Sequence, residues 1–453
     1  MLTAILSWLP IVGISLADSG QNTTLLQKGP KDRPEEYCEL PRHYPGFAYT
    51  KKDRKKEERL CRYNFYKKRG DRTKGQIVGI CPKILSTNPA IELFDLPKGT
   101  SKSEFEAKAN CRQTSKESKK LAKFKQSRSC SYTPSILAYY HFSRGLGNIL
   151  KVPQSVYRTM DKKAHREKAK MGAEIGRGLS KTTWSNYLAI HRKNSWAKQR
   201  FKVLTPDGQI FGALSENPRG ERKYKRFNGR GDASKSATFA APLLATKSHK
   251  NLLSNKPIGK ILPRSIQGSV QEITAMKDLS HMYLMDHILS QSDRFGNVHA
   301  RNYWFYIDEE TGELIRSASK PSEGYSGEPF KVKEMMLRDN DCGIVKTNHL
   351  RNIKILNKLR HIAPPTYARL GWLSAIYKTT DFQTFLKEDL HFEDSDIKKT
   401  GRYLKEAWET LHSNCLKGRL HLDLDIDSHL NGDLAEKQDK KQCDILFEPK
   451  KSD

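Results

Sequence analysis

Eight cysteines place the strongest limits on how this chain of 453 residues can fold. An even number of cysteines favours disulfide bonds in an oxidising compartment. Five of them precede residue 131 and three follow residue 341, so complete pairing requires at least one disulfide between the two ends of the chain. The alternative is that the cysteines are reduced, buried thiols. A zinc ribbon is not supported, because the sequence has no Cys-x-x-Cys pair.

The first 17 residues, MLTAILSWLPIVGISLA, are apolar but too short to span a bilayer comfortably. They end in Ser15-Leu16-Ala17, the small-x-small pattern of signal-peptidase sites. We therefore expect residues 1–17 to be a signal peptide and the protein to be secreted or periplasmic. A buried first helix is the alternative. No later stretch is long and apolar enough to predict a transmembrane segment.

The formal net charge of +30 favours contact with polyanions such as nucleic acid, acidic head groups or acidic proteins. The basic residues are concentrated in three clusters, at residues 51–68, 116–128 and 162–170. Aromatic residues that could stack on bases lie within the first cluster: Tyr63, Phe65 and Tyr66. The alternative is that these runs are solvated faces with no specific anionic ligand.

The hydrophobic fraction of 36% is too high for a fully disordered chain, so we expect a core with polar tails and surfaces. Residues 18–150 are interpreted as a basic, cysteine-containing N-terminal region, residues 151–430 as the main domain, and residues 431–453 as a charged tail. Within the main domain, residues 156–173 are expected to be helical.

A central stretch combines a buried helix with two polar loops. Apolar residues recur at helical spacing before the first loop: Leu279, Met282, Met285 and Leu289. The loop DRFGN follows at residues 293–297, and an aromatic strand and a hairpin turn come next. The second loop, DNDCG, occupies residues 339–343.

Phosphoryl transfer requires residues of these types. A carboxylate orients the attacking hydroxyl, while an amide oxygen and a second carboxylate hold Mg²⁺ on the nucleotide phosphates. We expect Asp293 to be the catalytic base and Asn297 to act with Asp341 or Asp339 as a metal ligand. Gly296 would permit the turn. The alternative is a helix cap, a surface ion pair or an ordinary turn.

The motifs DRFGN and DNDCG resemble the catalytic and metal-binding loops of atypical kinases, including phosphatidylinositol kinases, HipA-type kinases and secreted Golgi-type kinases. The resemblance implies an α+β, bilobal, kinase-like fold over residues 151–430, with a smaller β-rich lobe and a mostly helical larger lobe. Two features depart from the pattern. Asn297 follows Asp293 by four residues where most kinases have five, so Asn302 remains a rival ligand, and residues 317–330 form an insertion.

A kinase-like site also needs a lysine for the nucleotide phosphates. Lys202 is the candidate, because it is the only lysine in an evident strand of the hairpin predicted at residues 201–214. Lys223 and Lys225 are rivals, and Glu216 or Glu272 could be the acidic partner. For each lysine, the alternative is a surface position.

The resemblance implies a secreted or periplasmic phosphotransferase that uses ATP with Mg²⁺ or Mn²⁺ on a protein or another hydroxyl-bearing acceptor. The first alternative is a non-catalytic basic protein, either pseudokinase-like or polyanion-binding. The second is a nuclease that uses its acidic residues with Mg²⁺.

Overall fold

The computed structural model describes residues 23–27, 36–67, 77–85, 88–228, 241–345, 348–432, 440–444 and 447–448. The expected signal peptide at residues 1–17 lies outside these ranges. The chain has a mixed α+β structure. Its strands are β1 (Thr23–Gln27), β2 (Glu36–Leu40), β3 (Gly79–Pro82), β4 (Ile91–Phe94), β5 (Lys120–Lys125), β6 (Ser155–Met160), β7 (Ile210–Glu216), β8 (Arg222–Lys223), β9 (Val298–Asp308), β10 (Leu314–Ser317) and β11 (Tyr325–Leu337).

The helices are distributed along the whole chain, and the last third of the described residues is mostly helical. They are α1 (Lys51–Arg62), α2 (Lys102–Phe105), α3 (Lys108–Glu117), α4 (Thr133–Gly145), α5 (Lys162–Ile175), α6 (Gly178–Lys193), α7 (Lys225–Asn228), α8 (Lys247–Leu252), α9 (Ile266–Ile288), α10 (His349–Asn352), α11 (Ile355–Lys358), α12 (Pro364–Ile376), α13 (Thr380–Glu388), α14 (Asp394–Leu416) and α15 (Ile426–Leu430).

A seven-stranded antiparallel sheet has the strand order β1-β2-β6-β7-β5-β4-β3. Strands from both sides of residue 150 hydrogen-bond within it, since β5 and β6 both pair with β7. The boundary expected at residue 150 therefore lies inside a continuous sheet.

The helix expected over residues 156–173 is wrong in its first part. Residues 155–160 form β6, and the helix α5 begins at Lys162. Val156, Tyr157 and Thr159 are β-branched or aromatic, which suits a buried strand. Asp161 then starts the helix, because its side chain accepts a hydrogen bond from the backbone N–H of Ala164.

The predicted central helix and hairpin are present. In α9, the side chains of Leu279, Met282 and Met285 are fully buried, and each contributes about 1.5–3 kcal/mol by its burial. Strand β9 pairs with both β10 and β11, which forms a second, smaller sheet with β8. Because β9 begins just after DRFGN and β11 ends just before DNDCG, their antiparallel pairing brings the two loops to one end of this sheet.

Four disulfides join the cysteines, at Cys38–Cys61, Cys81–Cys111, Cys130–Cys342 and Cys415–Cys443. The expected bond between the two ends of the chain is Cys130–Cys342, whose sequence separation is 212 residues. Among the described residues, no helix is both long enough and apolar enough to cross a membrane.

Candidate functional site

The loops DRFGN and DNDCG contact each other directly. Ser292 donates two hydrogen bonds to the carbonyl oxygen of Cys342, from its backbone nitrogen at 3.1 Å and from its hydroxyl at 3.0 Å. Gln291 donates from its amide nitrogen to the carbonyl oxygen of Asp339 at 3.4 Å. The end of α9 and the end of β11 are therefore fixed to one another through backbone oxygens.

A buried ion pair supports both loops from below. The Nε atom of Arg294 lies 2.9 Å from Oδ2 of Asp286 in α9, and its Nη2 atom donates to Oδ1 of Asn340 at 2.8 Å. Tyr139 in α4 donates its hydroxyl to Asp286 at 2.7 Å. Arg294 and Asp286 are 1% and 0% exposed at their side chains, so the arginine of DRFGN points into the core rather than to the surface.

Asp339 and Asp341 both lie against lysines of β5. The Nζ atom of Lys125 is 2.8 Å from Oδ2 of Asp341 and 3.6 Å from Oδ1 of Asp339. The Nζ atom of Lys123 is 3.2 Å from Oδ1 of Asp339. Side chains two residues apart on a strand share one face of the sheet, and this places both ammonium groups over the acidic loop.

These contacts hold the cluster in its charged state. Lys123 is the main cause that keeps the pKa of Asp339 well below its usual range. Burial raises the pKa of Asp341, but the charge of Lys125 outweighs it and the pKa is lowered on balance. Burial opposes the charge of Lys125, yet the two carboxylates raise its pKa. Both carboxylates and Lys125 are therefore ionised at neutral pH.

Lys83, just after β3, is a third cation near the acidic loop. Burial is the main cause that lowers its pKa to about 7, and the positive charges of Lys123 and Lys125 lower it further, while Asp339 acts in the opposite direction. Its side chain is half-buried. The ammonium group of Lys83 thus titrates near neutral pH and would gain from an added negative charge.

Asp293 presents its carboxyl group to solvent at the edge of this cluster. Partial desolvation raises its pKa to about 6, and the negative charges of Asp341 and Asp339 add to the rise. The three carboxyl groups therefore interact through space, although they come from two loops. A carboxylate with a raised pKa can accept a proton more readily than an ordinary aspartate.

Asn297 lies next to Asp293, where its amide nitrogen donates to the carbonyl oxygen of Asp293 at 3.1 Å. Gly296 precedes it with φ +79°, the left-handed conformation that glycine adopts without strain. Asn302 does not belong to this loop. It is exposed in β9 opposite Lys333, about 13 Å along the strand from Val298.

Lys202 is exposed and lies outside the strands, so the prediction that it belongs to a strand is wrong. The expected hairpin at residues 201–214 reduces to a single bridge between Leu204 and Ile210 at the start of β7. Lys223 lies in β8 and Lys225 in α7, both exposed.

The lysines that contact the acidic loop, Lys123 and Lys125, are ones that the sequence interpretation missed. They lie within the basic cluster at residues 116–128, which resembled a solvated run. The signal that could have identified them is their alternation with Ala122 and Phe124, both fully buried, since a period of two predicts a half-buried strand.

The two glutamates expected as acidic partners lie in different places. Glu216 borders the same pocket as Lys123 and Lys125, but it is paired with Arg59 at 2.7 Å and with Lys56 at 2.5 Å. Glu272 lies in α9 and is paired with Arg226 at 2.9 Å.

Gly343 and Cys342 fix the acidic loop to the start of α4. The backbone nitrogen of Gly343 donates to the hydroxyl of Ser135 at 3.1 Å, and a Cβ atom at Gly343 would lie only 2.3 Å from that oxygen. Cys342 is bonded to Cys130. Glycine is therefore required here by close packing, and a disulfide holds the residue next to Asp341.

The donor set can be compared with what a metal ion needs. Among the described residues, no three His, Cys, Asp or Glu side chains are grouped closely enough to enclose a metal. Asp339 and Asp341 nevertheless supply ionised oxygens, and Mg²⁺ commonly takes only one or two carboxylates, with waters and substrate phosphates as its other ligands. The site thus suits a magnesium ion that arrives with a nucleotide, rather than one held by protein alone.

Comparison with known proteins adds no relative. No family model matches the sequence, and no curated protein matches it.

Proposed function

We propose that the protein is a phosphotransferase that transfers a phosphoryl or nucleotidyl group from an Mg²⁺- or Mn²⁺-bound nucleotide, ATP in the simplest case, to a hydroxyl group. The observation that carries this proposal is the cluster of Lys123, Lys125, Asp339 and Asp341, with Asp293 exposed beside it. Catalysis of phosphoryl transfer depends on positioning and on charge stabilisation, and this cluster offers both cations and anions.

The nucleotide would be held by groups of opposite charge. Asp341 and Asp339 would bind the divalent ion, which bridges the phosphates and neutralises their charge. Lys125 and Lys123 would contact phosphate oxygens, and Lys83 would gain its proton fully as the phosphates approach. Asn297 could supply an amide oxygen to the ion, since only its amide nitrogen is used by the loop.

Asp293 would act on the acceptor. Its carboxylate would accept the proton of the attacking hydroxyl, while a bond forms between that oxygen and phosphorus and the bond to the leaving phosphate breaks. A pKa of about 6 leaves most of the carboxyl ionised at pH 7 and still basic enough for this role.

The distribution of these groups is in keeping with a bilobal, kinase-like arrangement. The lysines come from the large sheet, Asp293 and Asn297 follow the buried helix α9, and the acidic loop precedes the mostly helical part. In a protein of this kind, the nucleotide would lie between the sheet and the helices.

Export is part of the proposal. Four disulfides within the described residues suit an oxidising compartment such as the periplasm or the secretory pathway. The acceptor would then be a secreted protein or another hydroxyl-bearing molecule.

The test measures binding of fluorescent ATP with and without Mg²⁺, and label transfer from γ-labelled ATP to the protein itself and to casein. We expect Lys125→Met and Asp341→Asn to weaken Mg²⁺-dependent binding at least about tenfold, a loss of one charge-assisted contact. Asp293→Asn should retain binding and lose transfer.

Paired variants test the rival positions. Lys202→Met and Asn302→Ala change exposed side chains outside the cluster and should leave nucleotide binding unchanged. Equal losses in Lys125→Met and Lys202→Met, or binding that ignores Mg²⁺, would contradict the proposed site.

The second candidate is a non-catalytic protein that binds polyanions, which the net charge of +30 favours. Such a protein would bind heparin or nucleic acid with strong salt dependence, and Asp341→Asn would not weaken that binding.

A further inference from the structure

The second sheet has two very different faces. Residues on one side of β9 and β11, among them Tyr303, Phe305 and Val332, form a buried cluster with Val270 of α9. Because side chains alternate along a strand, the residues between them point to the opposite side. The inward face thus explains the stability of the sheet and leaves the outward face for another role.

The outward face combines aromatic rings with lysines. Trp304 and Tyr306 are half-buried in β9, and Lys331 and Lys333 are exposed in β11. Lys331 lies directly opposite Trp304, and its Nζ atom is 4.5 Å from the ring centroid. The Nζ atom of Lys320, from the turn before β11, is 5.7 Å from the same centroid.

The first basic cluster lacks this combination, although it contains aromatic residues. Tyr63 and Phe65 are only 3% and 1% exposed, so their rings are unavailable to a ligand. The hydroxyl of Tyr66 is bonded to Glu36. Stacking on bases within residues 51–68, as the sequence suggested, is therefore ruled out for these two buried rings.

We propose that the outward face of the second sheet binds single-stranded nucleic acid. A base would stack on the indole of Trp304 and the next base on Tyr306, because a strand places alternate residues about 7 Å apart, within the reach of consecutive unstacked bases. Lys320, Lys331 and Lys333 would contact the phosphates. Their ammonium groups, now over or beside the ring, would move to the phosphate oxygens when a base covers it.

Two observations favour this ligand over other polyanions. The aromatic rings supply flat surfaces, whereas a sulfated glycan or an acidic peptide would need mainly charge. An open sheet also suits a flexible single strand, because a rigid duplex hides its bases from such rings. This binding surface is independent of the proposed phosphotransferase site, and neither proposal requires the other.

The test uses the full-length secreted chain and fluorescein-labelled oligouridine and oligothymidine of about 12 nucleotides, with fluorescence anisotropy as the readout. We expect Trp304→Ala to weaken oligouridine binding at least about fivefold, and Trp304→Phe to recover most of the loss. Comparison of the two oligomers shows whether the 2′-hydroxyl contributes.

A matched charge control distinguishes this face from general electrostatics. Lys320→Ala/Lys331→Ala/Lys333→Ala should lower the steepness of the salt dependence by about 2, because each lost phosphate contact in a single strand accounts for about 0.7. The triple variant Lys51→Ala/Lys52→Ala/Lys55→Ala removes the same charge from the exposed side of α1 and should have less effect.

Three outcomes would overturn the proposal. They are equal weakening by both triple variants, unchanged binding in Trp304→Ala, and heparin binding that depends on the same lysines while oligouridine does not bind. Thermal unfolding of each variant establishes that the fold is retained, as expected for substitutions on an outward face.

Discussion

The guanidinium of Arg294 donates a hydrogen bond of 2.8 Å to the amide oxygen of Asn340, which joins the loop DRFGN to the loop DNDCG beneath the charged cluster. The same guanidinium is paired with Asp286 in α9. Arg294 thus sets the distance between the proposed base and the proposed metal ligands without itself facing solvent.

Arg294→Met should destabilise the protein by about 3–5 kcal/mol, because it leaves the carboxylate of Asp286 buried without its partner. Equilibrium unfolding in urea measures the free energy. The exposed pair of Lys387 and Asp394, at 3.0 Å, provides the control, and Lys387→Ala should cost less than about 1 kcal/mol. A similar cost for the two variants would contradict the structural role of Arg294.

The pKa of Asp293, raised to about 6, predicts two pH effects. The rate of phosphoryl transfer should fall as the pH drops below about 6, because a protonated base cannot accept the hydroxyl proton. The unfolded-state pKa is about 3.9, so ionisation costs the folded state stability above about pH 6 and costs nothing below about pH 4. Asp293→Asn should therefore raise the melting temperature at pH 8 and leave it unchanged at pH 3.5.

A flat rate profile between pH 5 and 7, or equal melting temperatures for Asp293→Asn and the natural protein at pH 8, would show that Asp293 is an ordinary surface carboxylate. The melting measurement does not depend on any enzymatic activity.

Lys83 predicts the opposite limb, because burial lowers its pKa to about 7. Its charge is present below that pH and is lost above it. Affinity for the Mg²⁺-bound nucleotide should therefore decline from pH 6 to pH 8.5 in the natural protein and remain flat in Lys83→Met. Isothermal titration in buffers of different ionisation enthalpy should also reveal proton uptake on binding at pH 8. Proton uptake in both proteins would assign the effect to another group.

Removal of the Cys130–Cys342 disulfide by Cys130→Ser/Cys342→Ser should lower the free energy of unfolding within the usual range of about 2–5 kcal/mol. The bond closes 212 residues, against 30 for Cys81–Cys111, so its loss should cost about 1–2 kcal/mol more than Cys81→Ser/Cys111→Ser in the chain-entropy account. Nucleotide binding should weaken only in the first variant, since Cys342 adjoins Asp341. Equal effects on binding would contradict that local role.

Some elements could be predicted because local pattern and burial agree. Helix α9 follows the apolar spacing of Leu279, Met282 and Met285, and a bond such as Cys130–Cys342 follows from the uneven distribution of the cysteines. Both signals are contained in the sequence itself and need no knowledge of strand pairing.

The phosphate-binding lysine could not be predicted in the same way. Lys123 and Asp339 are 216 positions apart, and only the pairing of β5 in the large sheet brings them together. Residues 155–160 were assigned to a helix because the helix-forming run from Lys162 to Ile175 dominates the window, while strand pairing with β7 decides the outcome. Long-range pairing, rather than local propensity, positions the site.

The Cys130–Cys342 bond also bears on how such a protein can evolve. An exchange of the chain after residue 151 with that of a distant relative would separate the acidic loop from the cysteine that anchors it, as well as from the strand that carries its lysines. We expect the two halves to be inherited together, with changes at one end matched by changes at the other.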